Sequence, residues 1–458
     1  MTTTTDDQPD ATVDLEPSVP DDGAHGASNR VRGALSGLLA AGAALGTAEL
    51  FSGFSKRIPS LVVAVGDVFV DNTPGGIVRW SIERFGSNQK TVLVWGISIT
   101  ALVLGAVLGA ASRRRFAIGA AGFAAFGLLG ALAASRYPGS STPLSWLTAI
   151  VAAAIGVLVL RALHTATAPT DRDTATGLLG LPAGEDRRRF LVFAGAAAFL
   201  GIFGAGLGRR LRDRFGVEQA REEVALRLGS SASPADGEAL RPTEIATLAD
   251  VDGISPIITP NDDFYRIDTA LSVPQVDPAT WKLRITGLVD RELEFSFDDL
   301  LEMDMVERNI TLSCVSNDVG GHLVGNARWR GVPLATLLEQ AGVSPDCTQI
   351  VGRSVDGWTA GFPTEIVFDG RPAMVAVTMN DEPLPIKHGF PARLVVAGLY
   401  GYVSATKWVT EIECTTWEAF DAYWIPRGWA KDGPMKTQSR IDTPRRNADL
   451  TAGTTAIA

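Results

Sequence analysis

Five apolar stretches in the first 210 residues limit what this chain can become. A helix that crosses a bilayer needs roughly 20 largely apolar residues. Val31–Phe54, Thr91–Ser112, Phe116–Ser135, Leu144–His164 and Phe190–Leu207 all meet that length. Their alanine and glycine content suits close helix packing in lipid. Between the first two lies "IPSLVVAVGDVFVDN", shorter and carrying Asp67 and Asp71. It reads as an interfacial or re-entrant segment, with a sixth span as the alternative. After about residue 210 the texture changes to mixed and polar, with most of the Trp and Pro. Such a shift predicts a helical membrane domain followed by a soluble one.

The flanking charges set an orientation. Arg113, Arg114 and Arg115 occupy one short loop, and Arg187, Arg188 and Arg189 precede the last span. Positive charge stays on the cytoplasmic side. Five spans with the N-terminus inside put both clusters there and the rest of the chain outside the cytoplasm. Arg209, Arg210, Arg212 and Arg214 weigh the other way. "DRRRFLVFAGAAAFLGIFGAGLG", Asp186–Gly208, looks like an internal twin-arginine export signal. An ordinary positive-inside anchor explains it equally well. His164 is the one histidine inside or beside a span. A b-type haem held from both sides needs two, so the membrane half is expected to anchor and to hold no cofactor.

Residues 1–30 are polar, acidic and proline-containing. They cannot bury enough apolar surface to offset chain entropy and are expected to be disordered. They lack the basic start and apolar middle of a secretory signal. A charged helical stretch, Arg209–Leu228, leads into a linker, "GSSASPADGEALRPTE". The expected division is 1–30, a membrane domain 31–208, a helical segment and linker 209–250, a soluble domain 251–445, and 446–458. The net charge is −10 with no long basic run, so nucleic acid is not an expected partner.

In the soluble half, "WKLRITGLV", "NITLSCV", "TQIVGRSV", "PAMVAVTMN", "ARLVVAG" and "WVTEIECT" predict strands. "SFDDLLEMD", with Ser296 as N-cap, and "PLATLLEQAG" predict short helices. Many strands and few short helices predict an α+β domain. No GxGxxG or P-loop occurs.

Cys314 closes the run "NITLSCV" and opens a loop containing Gly320 and Gly321. Four roles are open to it: core residue, half of a disulfide, nucleophile or metal ligand. His322 and His388 are available partners for a nucleophile. Cys314, Cys347 and Cys414 are far apart and form no CxxC, which weakens zinc. A Cys347–Cys414 disulfide is permitted outside the cytoplasm, though spacing does not establish it. Base rates favour a buried small hydrophobe.

Four blocks shift those odds: "NDDFYRID" (Asn261–Asp268), "TLSCVSN" with "GNARWRGVPL", "PLPIKHGFPARLVVAGLYGY" (Pro383–Tyr402) and "SATKW" (Ser404–Trp408). In this order the chain resembles the sulfite-oxidase family of molybdenum–pterin enzymes, from about Asn261 to Arg445. The resemblance implies an α+β molybdopterin-binding domain behind the membrane helices. It also implies a molybdenum–molybdopterin cofactor and two-electron oxygen-atom transfer at an oxo-molybdenum centre bound by Cys314. A thiolate is a soft anionic ligand suited to such a metal. His388 and Arg393 would hold the pterin and its phosphate, joined by Lys407 and the backbone of Ala405 and Thr406. Asp356, Asp262, Tyr265 and Arg266 would contact the pterin. Without the motif, Asp356 is an Asp-Gly turn, Arg393 a surface ion pair, His388 a loop histidine and Lys407 a solvated strand-end lysine.

The implied enzyme sits in the cell membrane, multi-pass, with its catalytic domain outside the cytoplasm. Its substrate is a small oxo-acceptor or oxo-donor. No haem or iron–sulfur motif occurs, so electrons need a separate partner, a cytochrome or a membrane redox protein. The chain departs from the family after the cysteine, where Asp318 stands in place of an arginine, and at Trp358, near the place of a tyrosine. A carboxylate there repels a dianion, which points away from sulfite. Sulfoxide reduction with the same cofactor is the nearest alternative, and a non-catalytic membrane-tethered binding domain the alternative from another class. "MKTQSRIDTPRR" looks like the lead into the family's dimerisation domain, so 446–458 is expected to be a tail or the start of that domain.

Overall fold

The computed structural model describes residues 22–166, 185–229, 251–444 and 447–458. The residues of the linker beyond Gly229, and the first 21 residues, lie outside this description. Among the described residues eight α-helices come first: α1 (Asp22–Ser52), α2 (Leu61–Asn72), α3 (Gly75–Phe85), α4 (Gln89–Ser112), α5 (Phe116–Arg136), α6 (Thr142–Thr165), α7 (Glu185–Asp213) and α8 (Glu218–Gly229). Residues 22–30, expected to be disordered, are helical in α1. Extending an existing helix is far cheaper than nucleating one, and the apolar run behind them supplies the nucleus.

Among the described residues five helices are long and apolar enough to cross a membrane: Asn29–Ser52, Gln89–Ser112, Phe116–Arg136, Thr142–Thr165 and Arg188–Leu228. Helix α2 has 12 residues, about 18 Å of rise, short of the roughly 30 Å hydrocarbon core. Its N-terminus is capped by Ser60, whose hydroxyl accepts from the Val63 amide at 3.4 Å.

The chain forms two compact units that interleave in sequence. The first takes residues up to Glu49, Ile97–Leu128 and Ala149–Gly206. Glycines let its helices touch backbone to backbone. A Cβ on Gly37 would lie 2.0 Å from the Gly105 carbonyl oxygen and 2.7 Å from Gly109 Cα. No side chain fits there, so α1 and α4 meet backbone to backbone.

The second unit takes Leu50–Gly96, Leu129–Thr148 and Leu207–Ala458. Its core is two five-stranded sheets. The strands are β1 (Lys282–Gly287), β2 (Leu293–Ser296), β3 (Val306–Ser313), β4 (Val324–Pro333), β5 (Gln349–Ser354), β6 (Thr359–Pro363), β7 (Ala373–Met379), β8 (Glu382–Pro383), β9 (Arg393–Val396) and β10 (Val409–Thr415). The first sheet runs β2-β1-β10-β5-β6, with β1 and β10 parallel and its other pairs antiparallel. The second runs β3-β4-β7-β8, and β9 also pairs with β7. Every residue of β7 and β9 is buried.

Short helices follow their sequence signals. Ser296 and Asp299 form a reciprocal capping box on Phe297–Glu302. Helix Leu334–Ala341 buries Leu334, Leu337, Leu338 and Ala341 and stops at left-handed Gly342. Strand β4 was not among the expected strands. Its alternation is real, with Ala327 and Trp329 buried between Arg328 and Arg330. Two charges and two glycines mask that pattern in sequence.

Candidate active site

Cys314 stands one residue beyond β3, half-buried, at the mouth of a loop. The loop is tied across its neck. The Cys314 amide donates to the Leu323 carbonyl at 2.9 Å, and the Leu323 amide donates to Asn317 Oδ1 at 2.8 Å. Asn317 therefore shapes the loop, and Asp318 is exposed on it. Burial raises the Cys314 thiol, while hydrogen bonds from Ser316 oppose the rise. His322 is exposed on the same loop.

The other two thiols are buried and free. Cys347 donates to the Gln349 carbonyl at 3.4 Å and lies 3.3 Å from Thr364 Oγ1. These two are core residues, and the permitted disulfide is not formed.

Tyr265 reaches the same place from the "NDDFYRID" segment. Its hydroxyl lies 3.7 Å from where a Cβ on Gly401 would sit, a point 3.8 Å from the Ser313 carbonyl and 3.6 Å from Ala405. Gly401 thus keeps open a space bordered by the cysteine strand, Tyr265 and Ala405. Burial, and then the charge of Cys314, push the Tyr265 hydroxyl well above the ordinary range.

His388 ends the turn Ile386–His388 and is followed by Gly389 at φ +114°. A Cβ on Gly389 would lie 3.1 Å from Arg393 Cβ and 3.2 Å from Lys407 Cα. That glycine lets the histidine turn close onto Arg393, at the start of β9, and onto Lys407. Arg393 Nη1 donates to the His388 carbonyl at 3.1 Å, and its guanidinium lies 5.0 Å from the Trp329 ring centroid. Phe264 packs edge-on to His388 and to Trp329 at 5.6 and 5.8 Å between centroids.

This packing leaves polar atoms over. Both ring nitrogens of His388 and Nε of Arg393 are buried with no hydrogen-bond partner. Orphaned buried donors are uncommon and call for a ligand. Burial, followed by the charges of Arg393 and Lys407, lowers the His388 imidazole to about 3, slightly opposed by the Asn261 backbone. Burial lowers Arg393 to about 10 and Lys407 to about 8, the latter resisted by Asp268.

Lys407 donates to Asp268 Oδ2 at 2.9 Å. Arg266 Nε donates to the same oxygen at 2.7 Å. Burial alone would raise the Asp268 carboxyl. The charge of Lys407, the Arg266 hydrogen bond and the charge of Lys90 hold it far below the carboxylate range instead. Thr406 is fully buried and Ala405 borders the Gly401 space.

Asp356 accepts from the Trp358 amide at 3.1 Å, next to Gly357 at φ +85°. One oxygen thus closes the β5–β6 turn. Burial raises this carboxyl, and the charges of Asp268 and Lys407 reach it. The structure brings Cys314, Tyr265, Arg266, Asp356, His388, Arg393, Ala405, Thr406 and Lys407 into linked contact or electrostatic reach. It does not bring Asp262. That side chain is fully exposed and pairs with Lys387 at 3.4 Å. It borders an open groove with Glu218 and Arg221 that Cys314 does not line.

Sequence reasoning missed Asp268, although it stands in a quoted block, because two of its three cationic partners, Lys90 and Lys407, lie far along the chain. It also missed Phe264 and Trp329, whose rings wall the orphaned nitrogens.

The family described as "Oxidoreductase molybdopterin binding domain" matches residues 270–424. The mitochondrial sulfite oxidase of Drosophila melanogaster is 29% identical over 212 residues, covering 42% of this chain and 36% of the fly protein. The uncharacterized oxidoreductase YuiH of Bacillus subtilis is 32% identical over 163 residues, 35% of this chain and 79% of YuiH. The chain belongs to the sulfite-oxidase family of molybdopterin-dependent oxidoreductases. Among solved structures, sulfane dehydrogenase SoxCD from Paracoccus pantotrophus is 27% identical over 39% of this chain and 55% of its own, with a TM-score of 0.32. The chain spans little more than a third of the fly sulfite oxidase it matches.

As a member of the sulfite-oxidase family the protein is an oxidoreductase with a molybdenum–molybdopterin cofactor. The residues present fit that group. Buried donors on His388 and Arg393 and the cationic Lys407 are what polar ring edges and a phosphate require. Tyr265 lies in electrostatic reach of both Arg393 and the half-buried thiol of Cys314, a ligand type that suits such a metal.

Proposed function

We propose a membrane-anchored oxidoreductase whose catalytic domain lies outside the cytoplasm and whose Cys314 is the protein's bond to molybdenum. The observation that carries this reading is the set of buried, unpartnered nitrogens on His388 and Arg393 beside Lys407, within the unit that holds Cys314. His388 and Arg393 would hold the pterin and its phosphate. Lys407, with the amides of Ala405 and Thr406, would complete the phosphate cradle. Asp356 would accept from the pterin's amino groups. When bound, the cofactor supplies two-electron oxygen-atom transfer. In the oxidative direction the substrate gains an oxygen from water, and two protons and two electrons leave. A separate electron carrier takes those electrons, since the chain has no CxxC and a single histidine in its apolar segments.

Asp318 favours a second reading of the substrate. Its exposed carboxylate on the cysteine loop repels a dianion. A neutral sulfoxide, reduced by the reverse of the same step, meets no such penalty.

The test is metal and pterin analysis of the full chain, wild type beside Cys314→Ser, from a host that makes the pterin. Wild type should carry about one molybdenum per chain, and Cys314→Ser at least about tenfold less, with its melting temperature nearly kept. Wild type without molybdenum, or a serine variant that retains it, would sink the proposal. Steady-state rates with sulfite and with methionine sulfoxide then separate the two substrates.

A further inference from the structure

Three cations meet on one buried carboxylate. Asp268, whose side chain is 6% exposed, receives Lys407 and Arg266 on Oδ2, and Lys90 on Oδ1. Lys90 is the second residue of α4, one of the helices long enough to span a membrane. Its amine also donates to the Ala270 carbonyl at 2.7 Å, which fixes it in place. A residue of the apolar N-terminal half therefore closes a charge network that ends on the phosphate-cradle lysine.

The division of the two oxygens matters. With Oδ1 taken by Lys90 and, at 3.3 Å, by Arg266 Nη2, Asp268 holds Lys407 through Oδ2 only, and Lys407 keeps donors to spare. Three cations against one carboxylate leave an excess of positive charge, to which Arg393 adds and which the Asp356 carboxyl, within reach of Lys407, reduces. Remove Lys90 and Oδ1 keeps only the 3.3 Å donation from Arg266 Nη2. The carboxylate then neutralises more of Lys407, and the site loses a charge that an incoming phosphate would feel.

We propose that Lys90 is a positioning residue for the cofactor: acting through Asp268, it keeps Lys407 free and the site electropositive enough to retain the anionic pterin phosphate. The inference rests on the function proposed above. It adds that a residue of the membrane half helps hold the cofactor.

The experiment uses the full-length protein as wild type, Lys90→Met and Lys90→Arg. Molybdenum and pterin per chain are measured before and after dialysis, together with the absorption spectrum of the oxidised protein and the melting of cofactor-stripped protein. Lys90→Met should lose molybdenum and pterin together by about tenfold, the size expected for one nearby charge in a partly screened site. Its stripped form should melt close to wild type. Lys90→Arg should restore retention and spectrum. Should Lys90→Met fail to accumulate, Lys90→Gln, which keeps a donor for Ala270, carries the same expectation. The inference is overturned if the uncharged variant keeps wild-type content through dialysis, or if Lys90→Arg loses as much as Lys90→Met. A wild type without pterin would instead overturn the function itself.

Discussion

The two sheets of the second unit handle charge in opposite ways. On the first, Arg284 pairs with Glu411 across β1 and β10, and Arg353 pairs with Glu413 across β10 and β5. These are cross-strand pairs between partly exposed side chains, each cation with its anion. Around β9 of the second sheet, Arg393 is buried beside the His388 imidazole, and among the described residues its guanidinium makes no ion pair. Isolated surface pairs add roughly 0–1 kcal/mol. A buried cation with no carboxylate partner costs stability instead. The first arrangement serves the sheet, and the second suits the anionic group proposed to bind there.

The sharpest way to break this contrast is Arg393→Met. Loading with molybdenum and pterin should fall about tenfold or more, while the cofactor-stripped protein melts no lower than wild type, because a buried cation has been removed. A lower melting temperature with intact loading would make Arg393 a structural residue. Metal analysis and calorimetry of stripped protein read both.

Acid titration sharpens the contrast at intermediate size. The folded His388 sits at about 3, against an ordinary 6.5. Between those values the unfolded chain binds the extra proton, so stability rises with pH and is lost as pH falls below about 6.5, by up to about 1.4 kcal/mol per pH unit. Asp268 runs in the same sense but lower. Its folded carboxyl is depressed, so its contribution is present above the ordinary carboxylate range and disappears as pH drops through it. Melting of stripped protein between pH 7 and 4.5 should therefore slope upward with pH, and His388→Gln should flatten that slope. An equal slope in the variant would refute the buried neutral imidazole.

The smallest effect belongs to the first sheet. Arg284→Met should cost no more than about 1 kcal/mol and leave loading unchanged. Glu411 keeps the hydroxyl of Thr286 at 2.7 Å as a donor. A change in pterin content there would dissolve the distinction between the sheets.

How much of this was legible depended on the range of the interaction. The apolar runs show directly in sequence because bilayer thickness sets a length. Six strands and two short helices show through alternation and capping, since those signals act over a few residues. Strand β4 hides because its outward face carries Arg328 and Arg330 and its inward face includes glycine. At the site, Cys314, His388, Arg393 and Lys407 are visible only through the motif around them. Their packing is set by Gly389 and by Phe264 and Trp329, which look like ordinary turn and core residues. Asp262 reads like its neighbours in "NDDFYRID" yet points to solvent. It sits in a turn, where the Pro260 carbonyl accepts from the amides of Asp263 and Phe264, and the tip of that turn faces water. The Lys90–Asp268 contact spans 178 positions, and no local pattern records it.

That long-range contact bears on how the protein can be handled. The obvious water-soluble fragment, begun after the linker near Val251, would retain Cys314, His388, Arg393 and Lys407. It would also discard the amine on Asp268 and expose the carboxylate it covers. A preparation made that way would under-report the cofactor affinity of the intact chain. The natural boundary for dissection is the contact made by Lys90, and a usable fragment has to bring that lysine with it.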